Sequence, residues 1–94
     1  MSQWLQSGRR RDLCVLLYGE DGVPAQKLKT SLERRYDDRI EPRQFYGALE
    51  ALERLGYVDS RTEGLSDVYA LTDAGSEAVE TYTAWLREEV GEAN

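Results

Sequence analysis

Apolar positions fall into short stripes separated by polar breaks, and the spacing within each stripe changes along the chain. Leu13, Leu16 and Leu17 lie on one helical face with Cys14 and Tyr18 flanking them, which predicts a first helix. Ser7 is its expected N-cap, Ser2 being the competitor that would lengthen it. Gly19-Glu20-Asp21-Gly22 ends that helix. Pro24 is expected at the first position of a second helix, where its missing N–H costs nothing. Ala25, Leu28, Leu32 and Tyr36 follow at spacings of three, four and four. The run Asp37–Glu41 breaks this stripe, and Pro42 restarts a third helix. Its predicted buried face is Phe45, Leu49, Leu52 and Leu55, with Ala48 beside them and Gly56 as its C′ residue.

After Gly56 the period changes. Residues 57–62 and 67–71 read as two strands joined by a turn at 63–66. Thr72 is the expected cap of a final helix, with Asp73 favourably placed in its first turn. Ala74, Ala78, Val79, Tyr82, Trp85, Leu86 and Val90 supply its apolar positions. The expected fold is therefore mostly α with a small β-hairpin, in the order α-α-α-β-β-α. That is the pattern of a winged helix-turn-helix. We expect residues 1–71 to form the body and 72–94 a C-terminal dimerisation helix, within one compact domain. In this arrangement the first two helices bury one face of the third and leave its opposite face free to enter a DNA major groove.

On the third helix the outward residues near the start are Arg43, Gln44, Tyr46, Gly47 and Glu50. Arg pairs bidentately with guanine and Gln with adenine. Tyr46 offers a flat ring and a hydroxyl to a phosphate or a thymine methyl, and Gly47 lets the helix backbone approach a phosphate. Any amphipathic helix turns polar residues outward, so the weight of this reading comes from the position between a second helix and a hairpin. Lys29 and Arg39 flank the same region as candidate backbone clamps. Arg9, Arg10 and Arg11 sit near the start of the first helix, where cations oppose the helix dipole. They are either a phosphate site or a solvated basic run.

Charge alters this picture only after it is divided. The 94 residues hold 12 Lys+Arg against 18 Asp+Glu, a net charge of −6 that by itself argues against nucleic acid. Residues 72–94 carry six acids and one base, or −5, and residues 1–71 carry 12 acids and 11 bases, or −1. The body is thus nearly neutral and the tail strongly acidic. Ten of the twelve bases are Arg, and this Lys-poor, acid-rich balance resembles proteins of molar intracellular salt.

Without histidine and with Cys14 as the single cysteine, the chain lacks the residues for a zinc site, a Cys/His nucleophile or a Ser-His-Asp triad. Adjacent carboxylates such as Asp37-Asp38 and Glu88-Glu89 point apart on a helix and read as solvated surface. We expect no enzyme activity, no metal and no cofactor. Cys14 reads as a small core residue. No apolar run approaches a membrane span of about 18 residues, so a cytoplasmic location is expected.

The stretch Arg43-Gln44-Phe45-Tyr46-Gly47-Ala48-Leu49-Glu50-Ala51-Leu52-Glu53-Arg54-Leu55-Gly56-Tyr57-Val58 resembles the PadR-type winged-helix repressors, in particular the short forms of salt-loving archaea. Val68-Tyr69-Ala70-Leu71-Thr72-Asp73-Ala74-Gly75 resembles the Tyr-x-Leu-Thr-x-x-Gly signature of that family, and Arg11-Asp12-Leu13 is a weaker third match. Together these matches span roughly residues 9–80. Two departures stand out. Gly47 occupies the position of a family proline, and Arg61 is the wing's one cation among Asp59, Glu63 and Asp67.

The resemblance implies a homodimer built through the C-terminal helix and the first helix. The apolar strip of the final helix supports it independently, with Val79, Tyr82, Trp85 and Leu86, together with Trp4, as the expected interface. The alternative is that the strip packs on the first helix of its own chain. The implied function is sequence-specific binding of double-stranded DNA as a homodimeric regulator, most simply a repressor on a pseudo-palindromic operator. DNA contacts are expected from Arg43, Gln44, Tyr46, Gly47, Arg39, Lys29, Arg61, Arg9 and Arg10. A small-molecule effector is compatible with this reading, and the sequence names none. The competing function is a winged-helix adaptor or antagonist that binds protein and not DNA.

Overall fold

A computed structural model describes residues 8–91. The elements run α1 (Gly8–Leu17), β1 (Val23–Pro24), α2 (Ala25–Tyr36), α3 (Pro42–Arg54), β2 (Val58–Glu63), β3 (Ser66–Leu71) and α4 (Asp73–Val90). The helices and hairpin follow the order predicted from sequence, and this is a winged helix-turn-helix. The expected caps at Ser2 and Ser7 lie outside the described residues.

One element differs. Val23 and Pro24 form a short strand that pairs antiparallel with β3, Val23 opposite Tyr69 and Pro24 opposite Val68, so the sheet has the order β1-β3-β2. Two residues are too few to display an alternation. Pro24 is consequently the N-cap of α2, not its first helical residue. Proline is tolerated there because β1 is an edge strand that has no need of its donor on the open side.

The wing is the β2–β3 hairpin, in register from Val58 opposite Leu71 to Glu63 opposite Ser66, with Gly64 and Leu65 as its two-residue turn. Leu13, Cys14 and Leu17 of α1, Leu28 and Leu32 of α2, Phe45, Leu49 and Leu52 of α3, Val58, Tyr69 and Val79 form one buried cluster. Ile40, in the turn before α3, is buried with them. Leu55, predicted on the buried face of α3, is exposed because the helix has ended and Leu55 is its C-cap. Ala51 is buried in α3.

The joint between α3 and the wing and the joint between the wing and α4 are both closed by hydrogen bonds. Gly56, at φ +83°, takes the left-handed C′ position; its N–H donates to Glu53 O and that of Tyr57 to Leu52 O, both at 3.0 Å. Thr72 caps α4 as predicted, its Oγ1 accepting from the Gly75 N–H at 3.1 Å while donating to Gly56 O at 2.6 Å. Thr72 N–H also donates to Tyr57 O at 3.0 Å. The end of α3, the base of the wing and the start of α4 therefore meet at one point.

Gly75 lies in that junction. A Cβ there would stand 2.1 Å from Tyr57 O and 2.9 Å from Leu71 Cδ2. Backbone cannot yield as a flexible side chain would, so Gly75→Ala is expected to destabilise the fold by at least about 1–3 kcal/mol. In a chain of this size each kcal/mol lowers the melting temperature by about 4–8 °C, and thermal unfolding followed by circular dichroism checks it. An unchanged melting temperature would refute the close packing.

Candidate nucleic-acid interface

Helix α3 has one face in the core and one in solvent. Phe45, Leu49 and Leu52 are wholly or almost wholly buried, while Arg43, Gln44, Tyr46, Gly47 and Glu50 are all exposed. With about 3.6 residues per turn, positions 43, 46, 47, 50 and 54 share a single outer face, and Gln44 lies at its side. Tyr46 is held edge-on to Phe45, ring centroids 5.0 Å apart at 78°. A Cβ on Gly47 would meet nothing within 4 Å, so the outer face is open above this residue. Residues 43, 44, 46 and 47 are thus brought together as predicted, on a helix whose other side is fixed by packing.

Arg39 is exposed just before α3, where its backbone N–H donates to Asp38 Oδ1 at 2.8 Å. Lys29 is placed differently. Its ammonium donates to Glu33 Oε2 at 2.8 Å, and its side chain is only 17 % exposed. The same Oε2 accepts the Ile40 N–H at 2.9 Å. The Lys29 hydrogen bond, followed by the Ile40 N–H, holds the Glu33 carboxyl below its ordinary range. Sequence reading passed over Glu33. The four-residue spacing from Lys29 is visible in the chain, whereas the bond to Ile40 depends on how the turn folds back.

Wing and α3 are joined by Ser60, whose hydroxyl donates to Glu53 Oε2 at 2.9 Å. Arg61, the wing's cation, donates through Nε to Glu63 Oε2 at 2.6 Å and through Nη2 to Asp21 O at 3.2 Å. It is directed toward its own strand and the α1–β1 loop. Leu65 at the tip of the wing is fully exposed.

The Arg run of α1 has neighbours on other helices. Arg11 sits 5.6 Å above the Tyr82 ring of α4 and 3.5 Å from Asp12. Asp12 Oδ2 in turn accepts the Tyr36 hydroxyl at 2.7 Å. Burial, with the Asp12 bond second, pushes the Tyr36 phenol up to about 12, and the Arg9 charge works in the opposite direction. Arg9 Nε itself is buried with no hydrogen-bond partner among the described residues.

On α4, Val79 is only 4 % exposed and packs in the chain's own core, which corrects its expected place on a dimer strip. Its stripe faces the body at the start of the helix and outlasts that body further along. Tyr82 is half-buried, 6.0 Å from Trp85, and Trp85 and Leu86 are exposed. Trp4 lies outside the described residues. Across the α1–α4 seam Tyr18 donates to Glu80 Oε2 at 2.7 Å.

Cys14 is buried, and desolvation pushes its thiol up to about 12, so at neutral pH it remains protonated and fills core volume. Among the described residues no group of three or more His, Cys, Asp or Glu is arranged to hold a metal ion, and no helix is long and apolar enough to cross a membrane.

No protein-family model and no curated protein matches the chain. Solved structures do. RosR of H. salinarum superposes with a TM-score of 0.84 at 24 % identity, covering 94 % of this chain and 79 % of that one. F-93 of SSV1 gives 0.63 at 23 %, covering 81 % and 90 %. MepR, a transcription regulator of the Staphylococcus aureus multidrug efflux pump MepA, gives 0.76 at 21 %, covering 88 % of this chain and 59 % of its own. At these identities the likeness is one of fold, and the chain is built as these proteins are, as a winged helix-turn-helix.

Proposed function

We propose that the chain is a DNA-binding transcription regulator that reads a major groove with the outer face of α3. The observation that carries this is the exposure of Arg43, Gln44, Tyr46 and Gly47 on a helix whose inner face is wholly committed to the core. A reading helix must be rigid behind and polar in front, with donors that fit base edges. Arg39, exposed at the approach to α3, is the nearest candidate for a phosphate contact. The finer assignment, to a PadR-type repressor acting in the cytoplasm as a homodimer, is supported by the motifs of α3 and of the β3–α4 junction. Two reading helices related by a two-fold axis would engage half-sites about 10–10.5 bp apart, or a multiple of that.

Charge attraction contributes little to such binding. On α3 and the wing, Arg43, Arg54 and Arg61 face Glu50, Glu53, Asp59, Glu63 and Asp67, and Arg61 is already engaged by Glu63. Affinity must therefore rest on direct contacts and shape. A duplex selected from a random-sequence library should bind with a salt dependence shallower than the slope of about −5 that six phosphate contacts give. Arg43→Ala should weaken that duplex by about 1–3 kcal/mol in a gel shift, and an unchanged affinity would mean α3 is not the reading helix. The same acidic wing favours a second reading, a protein-binding adaptor. Failure to select any duplex at any salt concentration would decide for it.

A further inference from the structure

The Glu33 carboxylate has a position that the helix itself does not favour. It lies in the last turn of α2, where an acidic side chain faces the negative end of the helix dipole. Its partner Lys29 precedes it by four residues, and that order stabilises an isolated helix less than the reverse. Neither feature is explained by helix stability. What the carboxylate does is bridge. Oε2 takes the Lys29 ammonium at 2.8 Å on one side and the Ile40 N–H at 2.9 Å on the other. Between them the chain turns sharply, with Asp37 in the left-handed region at φ 55° and the Asp38 N–H donating to Glu33 O at 3.1 Å. Ile40 is a buried core residue two positions before Pro42, the first residue of α3. One side chain thus fixes both the end of α2 and the backbone leading into the reading helix.

We infer that Glu33 is a positioning residue for DNA reading, with Lys29 holding its carboxylate in place. Through Ile40 it sets the angle and height at which Arg43 and Gln44 are presented. The inference rests on the DNA-reading function proposed above. It gives Lys29 a task other than a phosphate contact, and the two roles differ in what they do to sequence discrimination. A phosphate contact strengthens every duplex alike, whereas a positioning contact matters only where base edges must be met in register.

The test uses the full chain and two duplexes of equal length, one selected by the wild type from a random library and one unrelated. Glu33→Ala should weaken the selected duplex about tenfold, the worth of a charge-assisted hydrogen bond, and leave the unrelated duplex no weaker. Glu33→Gln keeps an acceptor oxygen for Ile40 and should stay within about threefold of wild type. Lys29→Met should also lose affinity for the selected duplex alone. Amide exchange measured by NMR should quicken at Ile40 in Glu33→Ala while Leu49 and Leu52 are unaffected. Equal weakening of both duplexes by Lys29→Met would make that residue a phosphate contact and overturn its assigned role. Unchanged selection by Glu33→Ala with a freely exchanging Ile40 would overturn the positioning role alone. A wild-type chain that selects no duplex would overturn the DNA reading, and the positioning role with it.

Discussion

Phe45→Ala should lower the free energy of unfolding by about 3–5 kcal/mol, a large part of the 5–14 kcal/mol that roughly 0.05–0.15 kcal/mol per residue allows a chain of this length. Among the described residues Phe45 is the largest of the fully buried side chains, and it belongs to the cluster shared by α1, α2, α3 and the sheet. Removing its ring deletes apolar area and leaves a cavity whose walls come from several elements, so local collapse cannot fill it. Tyr46 loses its edge-on partner in the same step, which loosens a residue of the reading face. Urea denaturation checks the effect as a shift in midpoint at constant slope. Leu65→Ser is the contrast: equally apolar but fully exposed on the wing, it should change stability by less than about 0.5 kcal/mol. A loss below 1 kcal/mol for Phe45→Ala would mean that α3 is not anchored through this residue.

Stripes of three and four made α2, α3 and α4 legible in the sequence, because helical burial repeats over several turns. Thr72 and Gly56 were legible too, since capping depends on local chemistry. β1 was not, for the opposite reason: two residues carry no period, and its existence depends on β3, more than 40 positions away. Among the site residues, the exposure of Arg43, Gln44, Tyr46 and Gly47 followed from the phase of α3 alone. The positions of Lys29 and Arg61 did not. Lys29 pairs with Glu33 at a four-residue spacing, but the bond that ties Glu33 to Ile40 is set by a fold-back, and so is the reach of Arg61 to the α1–β1 loop. Val79 fell on the right stripe of α4 but on the part of it that the body already covers. A helical period gives the direction of a side chain and not the length of the surface opposite.

In the proposed homodimer, Trp85→Glu combined with Leu86→Glu should leave a monomer, weakening self-association by about 4 kcal/mol or more, roughly a thousandfold. Trp85 is 52 % exposed although it stands three residues beyond half-buried Tyr82 on one stripe, and Val15 of the neighbouring α1 and Tyr18 just past its end are exposed as well. In a two-fold interface each substitution acts twice, so four carboxylates would be buried against one another. Glutamate is a good helix former, and circular dichroism should show α4 intact. Sedimentation equilibrium should give twice 10.7 kDa for the wild type and 10.7 kDa for the variant. A wild type that is monomeric throughout, or a variant that stays dimeric, would refute the interface. Lys at both positions should dissociate the dimer as well, which separates loss of apolar contact from the sign of the charge. The acidic tail adds a condition of its own. Pairing two segments of −5 is opposed by repulsion, which falls as the screening length drops from about 10 Å at 0.1 M salt to about 3 Å at 1 M. The proposed dimer should therefore tighten as salt rises, while shallow DNA binding loses little over the same range.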